Sequence, residues 1–174
     1  MSTSEPPTWP HCAHGADPAA NPVGCRGIHV PGHTACLAHL ADADRDVYLA
    51  GLAPGPSIDH RGTTFTDSLL TALLTALRDP TTGNARIGTA QFESAIFEGA
   101  AGFESAIFEG GAGFESATFK DAAWFGSATF KDAAWFESAT FKDAAWFESA
   151  TFKGDAGFDS ATFVDADQLG PLVC

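Results

Sequence analysis

The stretch "FKDAAWFESATFKDAAWFESATFK" (residues 130–153) repeats every eleven residues, and its Phe residues fall alternately six and five positions apart. The rhythm runs well beyond this stretch. Phe recurs from Phe92 to Phe163 at fourteen positions with alternating gaps of five and six, and each has Ala two residues earlier. A helix turning about 100° per residue would divide these Phe residues between two sides instead of one stripe. A straight strand fails as well, because an odd step reverses the face. A chain that turns a corner after each short extended segment escapes both objections. Every corner resets the direction, so Phe and the Ala before it can point inward each time.

The units "ATFKD", "AWFES" and "AIFEG" resemble the pentapeptide-repeat family, and the resemblance covers about residues 85–169. It implies a mainly β fold: a right-handed quadrilateral β-helix, one pentapeptide per side, here preceded by a small α-helical region. Every second unit carries an extra residue, Ala122, Ala133 and Ala144 among them, so one coil takes 22 residues. The extra residue is expected as an unpaired bulge at two of the four corners. Ile87 and Leu169 extend the pattern at its ends. About four coils follow, roughly 20 Å tall at the spacing of stacked strands. An interior of Phe and Ala leaves no room for a ligand.

Composition changes near residue 85. Residues 1–84 hold all six His, nine of ten Pro and three of four Cys, and are expected as a separate Cys/His module. Residues 170–174 would be a C-terminal tail. The segment "TDSLLTALLTALRD" (residues 66–79) predicts a helix with Thr66 or Asp67 as N-cap, Leu69, Leu70, Leu73, Leu74 and Leu77 on one face and Arg78 in its last turn. Lying just before the repeats, it is expected as their N-terminal lid. The segment "VDADQLGPLVC" offers little cover at the other end, which suggests a homo-oligomer formed through it or a longer architecture.

Cys12, Cys25, Cys36 and His39 form a C-x12-C-x10-C-x2-H pattern. Three thiolates and an imidazole are a common tetrahedral zinc set, and the segment resembles small zinc knuckles. Its Gly and Pro content leaves it too little core of its own, the circumstance in which metal supplies folding energy. His11, His14 and His33 lie close enough in sequence to replace one ligand, and the alternative is three free thiols packed against Leu37, Leu40 and a helix in "DADRDVYLAGL". The closing C-x2-H is expected at the start of a helix. With four ligands present, no open coordination position is expected for catalysis, and the usual catalytic motifs are absent from the sequence. Cys174 is read as an incidental thiol.

The net charge of −13 disfavours direct contact with nucleic acid or an anionic membrane. With no signal-like start or long apolar run, a cytoplasmic protein is expected. Positions 22 apart should stack, so Glu93, Glu115, Glu137 and Asp159 would form one acidic column and Glu104 and Glu148, interrupted by Gly126, another on the opposite side. Lys120 with Lys142 and Lys131 with Lys153 would share columns with Glu98 and Glu109. Trp124 and Trp146 would stack on one side and Trp135 stand on the opposite one, all pointing outward. Exposed Trp is enriched at protein interfaces. Two functions therefore compete: a non-enzymatic interaction or scaffold module for another protein, centred on these Trp residues with Glu115, Glu137 and Glu148, and a DNA mimic. The second is implied by the resemblance, since some family members occupy the DNA-binding surface of type II topoisomerases. The Lys columns count against it.

Overall fold

The structure is a computed structural model, and it describes residues 5–164. From Ile58 onward the chain winds through two-residue strands joined by corners, and each strand pairs in parallel with the one a coil away. Four ladders result, one per side of the solenoid. Side one stacks Ile58, Ala90, Ala112, Ala134 and Ala156. Side two stacks Phe65, Phe97, Phe119, Phe141 and Phe163. Side three stacks Ala101, Ala123 and Ala145, and side four stacks Ile87, Phe108, Phe130 and Phe152.

The core is a set of aromatic columns. Phe97, Phe119, Phe141 and Phe163 lie nearly parallel with ring centroids 4.7–4.8 Å apart, the spacing of the strands that carry them. Phe92, Phe114, Phe136 and Phe158 form a second column at 4.9–5.2 Å. Neighbouring columns meet edge to face, as between Phe114 and Phe125 at 5.5 Å and 86°, which sets ring edges against ring faces. Small Ala residues fill the remaining space, and most of these side chains are fully buried.

The two kinds of corner differ. At Phe-x-Ser-Ala the Ala N–H donates to the Phe carbonyl, as Ala117 does to Phe114. Ser occupies the left-handed region there, with φ between 57° and 60° from Ser94 to Ser160, the turn geometry that ordinarily selects Gly or Asn. The other corners hold the extra residue, and at three of them it is not left unpaired as expected. Asp121, Asp132 and Asp143 each accept the N–H of the following Ala at 2.7–2.8 Å. The carbonyls of Ala122, Ala133 and Ala144 accept N–H groups from the preceding coil. The insertion is satisfied there because an Asp precedes it, a signal present in "KDAA" at three corners, whereas Gly99, Gly110 and Gly154 stand at that place in the others.

Ladder pairing starts upstream of the repeats. The register from Ile58 to Ala90 spans 32 residues instead of 22, because α2 (Asp67–Ala76) lies between the strands of sides two and four. This helix therefore occupies side three of the first coil, packed against Ala101–Gly102, instead of preceding the coil as a lid. Thr66 caps it, accepting the Leu69 N–H at 3.2 Å, and Leu70, Leu73 and Leu74 are buried. The helix stops at Ala76, so Arg78 lies beyond it and bridges Ala85. α1 (Asp42–Ala50) covers the same end of the stack. The expectations for Leu169, Cys174 and the C-terminal cover lie outside the described residues.

Candidate functional site

The N-terminal module is built from backbone pairing more than from side-chain packing. Cys12 N–H donates to Gly27 O, Ala13 N–H to Cys25 O and Cys25 N–H to His14 O, at 2.8–2.9 Å. This antiparallel pairing sets Cys12 beside Cys25. The other two donors come from a turn in which the N–H groups of His39 and Leu40 both bond to Cys36 O. The turn precedes α1 instead of starting it. Arg45 of α1 fixes it by donating to the carbonyls of Leu37, Ala38 and Leu40 at 3.0–3.2 Å. Gly27 is required beside the cluster, since a Cβ there would lie 2.8 Å from the Cys36 sulfur.

The four predicted donors converge. Their ligand atoms all lie within 4.8 Å of one another. Cys25 Sγ is 3.7 Å from Cys36 Sγ, and His39 Nδ1 is 3.5 Å from the sulfurs of both Cys12 and Cys36. Tetrahedral zinc with ordinary bond lengths would hold two sulfurs about 3.8 Å apart and a sulfur and a nitrogen roughly 3.6 Å apart. The observed separations fit that ion and are far too long for a disulfide. The Cys25 thiol is pulled down to about 5, first by its hydrogen bond with Cys36, while the same bond and burial push Cys36 up. One thiolate beside a retained thiol is the arrangement that a divalent cation converts to thiolates by displacing protons. His14 stacks on His39, with centroids 4.0 Å apart, and backs the ligand ring without joining the cluster.

The module docks on the first coil through groups that sequence reasoning missed. Ile28 N–H donates to Arg61 O at 2.8 Å, and within the module Trp9 Nε1 donates to Arg26 O at 2.8 Å. The Arg61 guanidinium lies 5.0 Å from the Trp9 ring centroid and forks onto both Asp59 oxygens at 2.8–2.9 Å. Gly62, at φ 66°, lies against the Arg26 carbonyl where a Cβ has no space. His60 takes the inward position that Phe92 holds one coil later, and Tyr48 meets its Nε2 at 3.1 Å. Burial lowers the His60 pKa to about 4, against a smaller opposing effect of Asp59. The signal for this coil is "GTTF" (residues 62–65), a degenerate "SATF" with Gly at the left-handed position.

A family model described as Pentapeptide repeats (9 copies) matches residues 92–140. The coils within that span are pentapeptide repeats. No curated protein and no solved structure matches the chain.

On the outside of the pentapeptide-repeat solenoid, the stacked positions divide by charge. Sides two and four are neutralised within the chain: Lys120 lies 3.6 Å from Glu98, and Lys131 2.8 Å from Glu109. The acidic columns beside sides one and three have no such lysines. Burial pushes the Glu115 carboxyl up, and Glu93 and Glu137 act in the same direction. Glu137 folds over Gly157, with one oxygen buried and without a hydrogen-bond partner among the described residues. Trp124 and Trp146 stack on side three with centroids 5.6 Å apart and planes 4° from parallel. Both are half-buried, whereas Trp135 on side one is 40% exposed and leans over Gly111. No helix among the described residues is long and apolar enough to cross a membrane.

Proposed function

We propose that the chain is a non-enzymatic interaction or scaffold protein: a pentapeptide-repeat solenoid that presents its acidic, Trp-bearing sides to another protein, with an N-terminal module locked by structural zinc. The observation that carries the docking reading is the contrast between sides. Sides two and four pair their Glu residues with Lys of the next coil, while the parallel Trp124 and Trp146 stand beside Glu104 and Glu148. A filled Phe and Ala interior supports a role for the outer surface instead of an enclosed ligand. The convergence of Cys12, Cys25, Cys36 and His39 supports zinc, which would tie the hairpin-like pairing of the module to its Cys36–His39 turn and perform no chemistry.

The test is capture of partners from cells by the wild-type chain and by a Trp124→Ala/Trp146→Ala variant at low and high salt. A partner retained at high salt by the wild type and lost by the variant is the expected outcome. Binding that disappears with salt and ignores both Trp residues would instead favour charge mimicry of nucleic acid, for which the uninterrupted Glu93 to Asp159 column is the supporting observation. Loss of neither would sink the docking reading.

A further inference from the structure

Gly126 interrupts the outer acidic column of side three between Glu104 and Glu148. The backbone bonds Ser105 N–H to Gly126 O and Ser127 N–H to Glu148 O put the three residues one above another. A Cβ on Gly126 would touch nothing nearer than the Glu148 carbonyl at 3.7 Å, so the glycine is not demanded by crowding. Its effect is an open depression of about 390 Å³, lined by Trp124 and Trp146, Glu104 and Glu148, and Ser105, Ser127 and Ser149 at the corner.

We infer that this notch receives an arginine side chain from a basic segment of a partner protein. The two carboxylate-bearing positions are two strand spacings apart, about 10 Å, so a cation centred over Gly126 sits about 5 Å from each. A guanidinium is planar, matches carboxylates with its forked donors and lies well against an indole. The chain already uses this combination once, where Arg61 lies over Trp9 and forks onto Asp59. Side one carries a comparable depression by Trp135, Glu93 and Glu115, but Arg61 itself lines it. No cation lines the side-three notch among the described residues, which leaves the acid there for an external partner.

This inference rests on reading the protein as an interaction module. It is tested by calorimetric titration of the full chain with acetyl-triarginine amide and with its uncharged triciitrulline counterpart. The decisive variant is Gly126→Glu, which restores the residue that the repeat carries at Glu115 and Glu137, adds a negative charge and fills the notch. Saturable binding of the arginine peptide alone is expected, weakened about tenfold or more by Gly126→Glu. The isosteric Glu104→Gln/Glu148→Gln variant should weaken it similarly without altering shape. Equal or tighter binding by Gly126→Glu would assign the effect to diffuse charge and overturn the notch, as would the absence of saturable binding. In cells, a partner lost by Trp124→Ala/Trp146→Ala but kept by Gly126→Glu would overturn the notch and leave the docking side standing. Indifference to both would overturn the interaction reading as well.

Discussion

The N-terminal module and the solenoid solve the problem of holding a small chain together in opposite ways. In the module, order converges on one point: four donors within 4.8 Å, drawn from a hairpin-like pairing and a single turn. In the solenoid, order is spread along columns of rings repeated once per coil. A concentrated constraint fails all at once when a donor is lost. A distributed one fails locally, because each coil contacts only its neighbours.

Under the proposed zinc site, removing the metal should break this comparison most sharply. Structural zinc in small modules contributes apparent binding free energies on the order of 10 kcal/mol. Purified chain should therefore contain about one zinc per molecule, and Cys36→Ser should abolish it. The amides of Cys12, Ala13 and Cys25 should then exchange rapidly with solvent while the solenoid keeps its β circular dichroism. Protection that survives a chelator would show that backbone pairing alone holds the module.

Within the solenoid, position along the stack should decide the loss. Phe119 is fully buried between Phe97 and Phe141, and Phe119→Ala should cost about 3–5 kcal/mol. Phe163 is only half-buried and, among the described residues, stacks in its column on Phe141 alone, so Phe163→Ala should cost under about 2 kcal/mol. Urea unfolding midpoints distinguish the two, and equal losses would contradict nearest-neighbour behaviour.

His60 joins the two regions and should confer a pH dependence that the repeats lack. Burial keeps its imidazole neutral down to about pH 4 in the folded chain, whereas an unfolded His protonates near 6.5. Between those values the unfolded chain binds the extra proton. Stability should therefore fall as pH drops from about 6.5 to about 4 and this contribution level off below, by on the order of 3 kcal/mol. His60→Phe, which installs the residue found at Phe92, should remove that part of the slope.

The smallest effect should come from the corners. Ser116 holds φ 57° without a side-chain hydrogen bond among the described residues. Asn tolerates this conformation better, so Ser116→Asn should raise stability by about 0.5 kcal/mol, seen as a higher unfolding midpoint at unchanged denaturant dependence. A decrease would mean that the hydroxyl at this corner contributes something Asn cannot supply.

Much of this was legible because repetition states the same constraint many times. Alternating gaps of five and six exclude a helix and a straight strand, and 22-residue stacking correctly pairs Lys120 with Glu98, Lys131 with Glu109, and Trp124 with Trp146. The donor set was legible from residue type, since thiols and an imidazole in a Gly- and Pro-rich segment have few other uses. The first coil was not, because it occurs once. His60 and Thr63 replace the Phe and Ala of the pattern, and eleven further residues between sides two and four disguise its period.

The sequence by itself determined the periodicity of the coil, the inward and outward alternation and the identity of four metal-donor candidates, because these depend on spacing and chemistry along the chain. Only the tertiary structure decided that α2 replaces a strand on side three, that Asp121 and its equivalents satisfy the extra corner residue, and that Trp9, Arg26 and Arg61 fasten the module to the first coil. Those outcomes turn on which backbone groups meet across long separations. Hydrogen-bond partners and shared volume exist only once the chain has closed on itself.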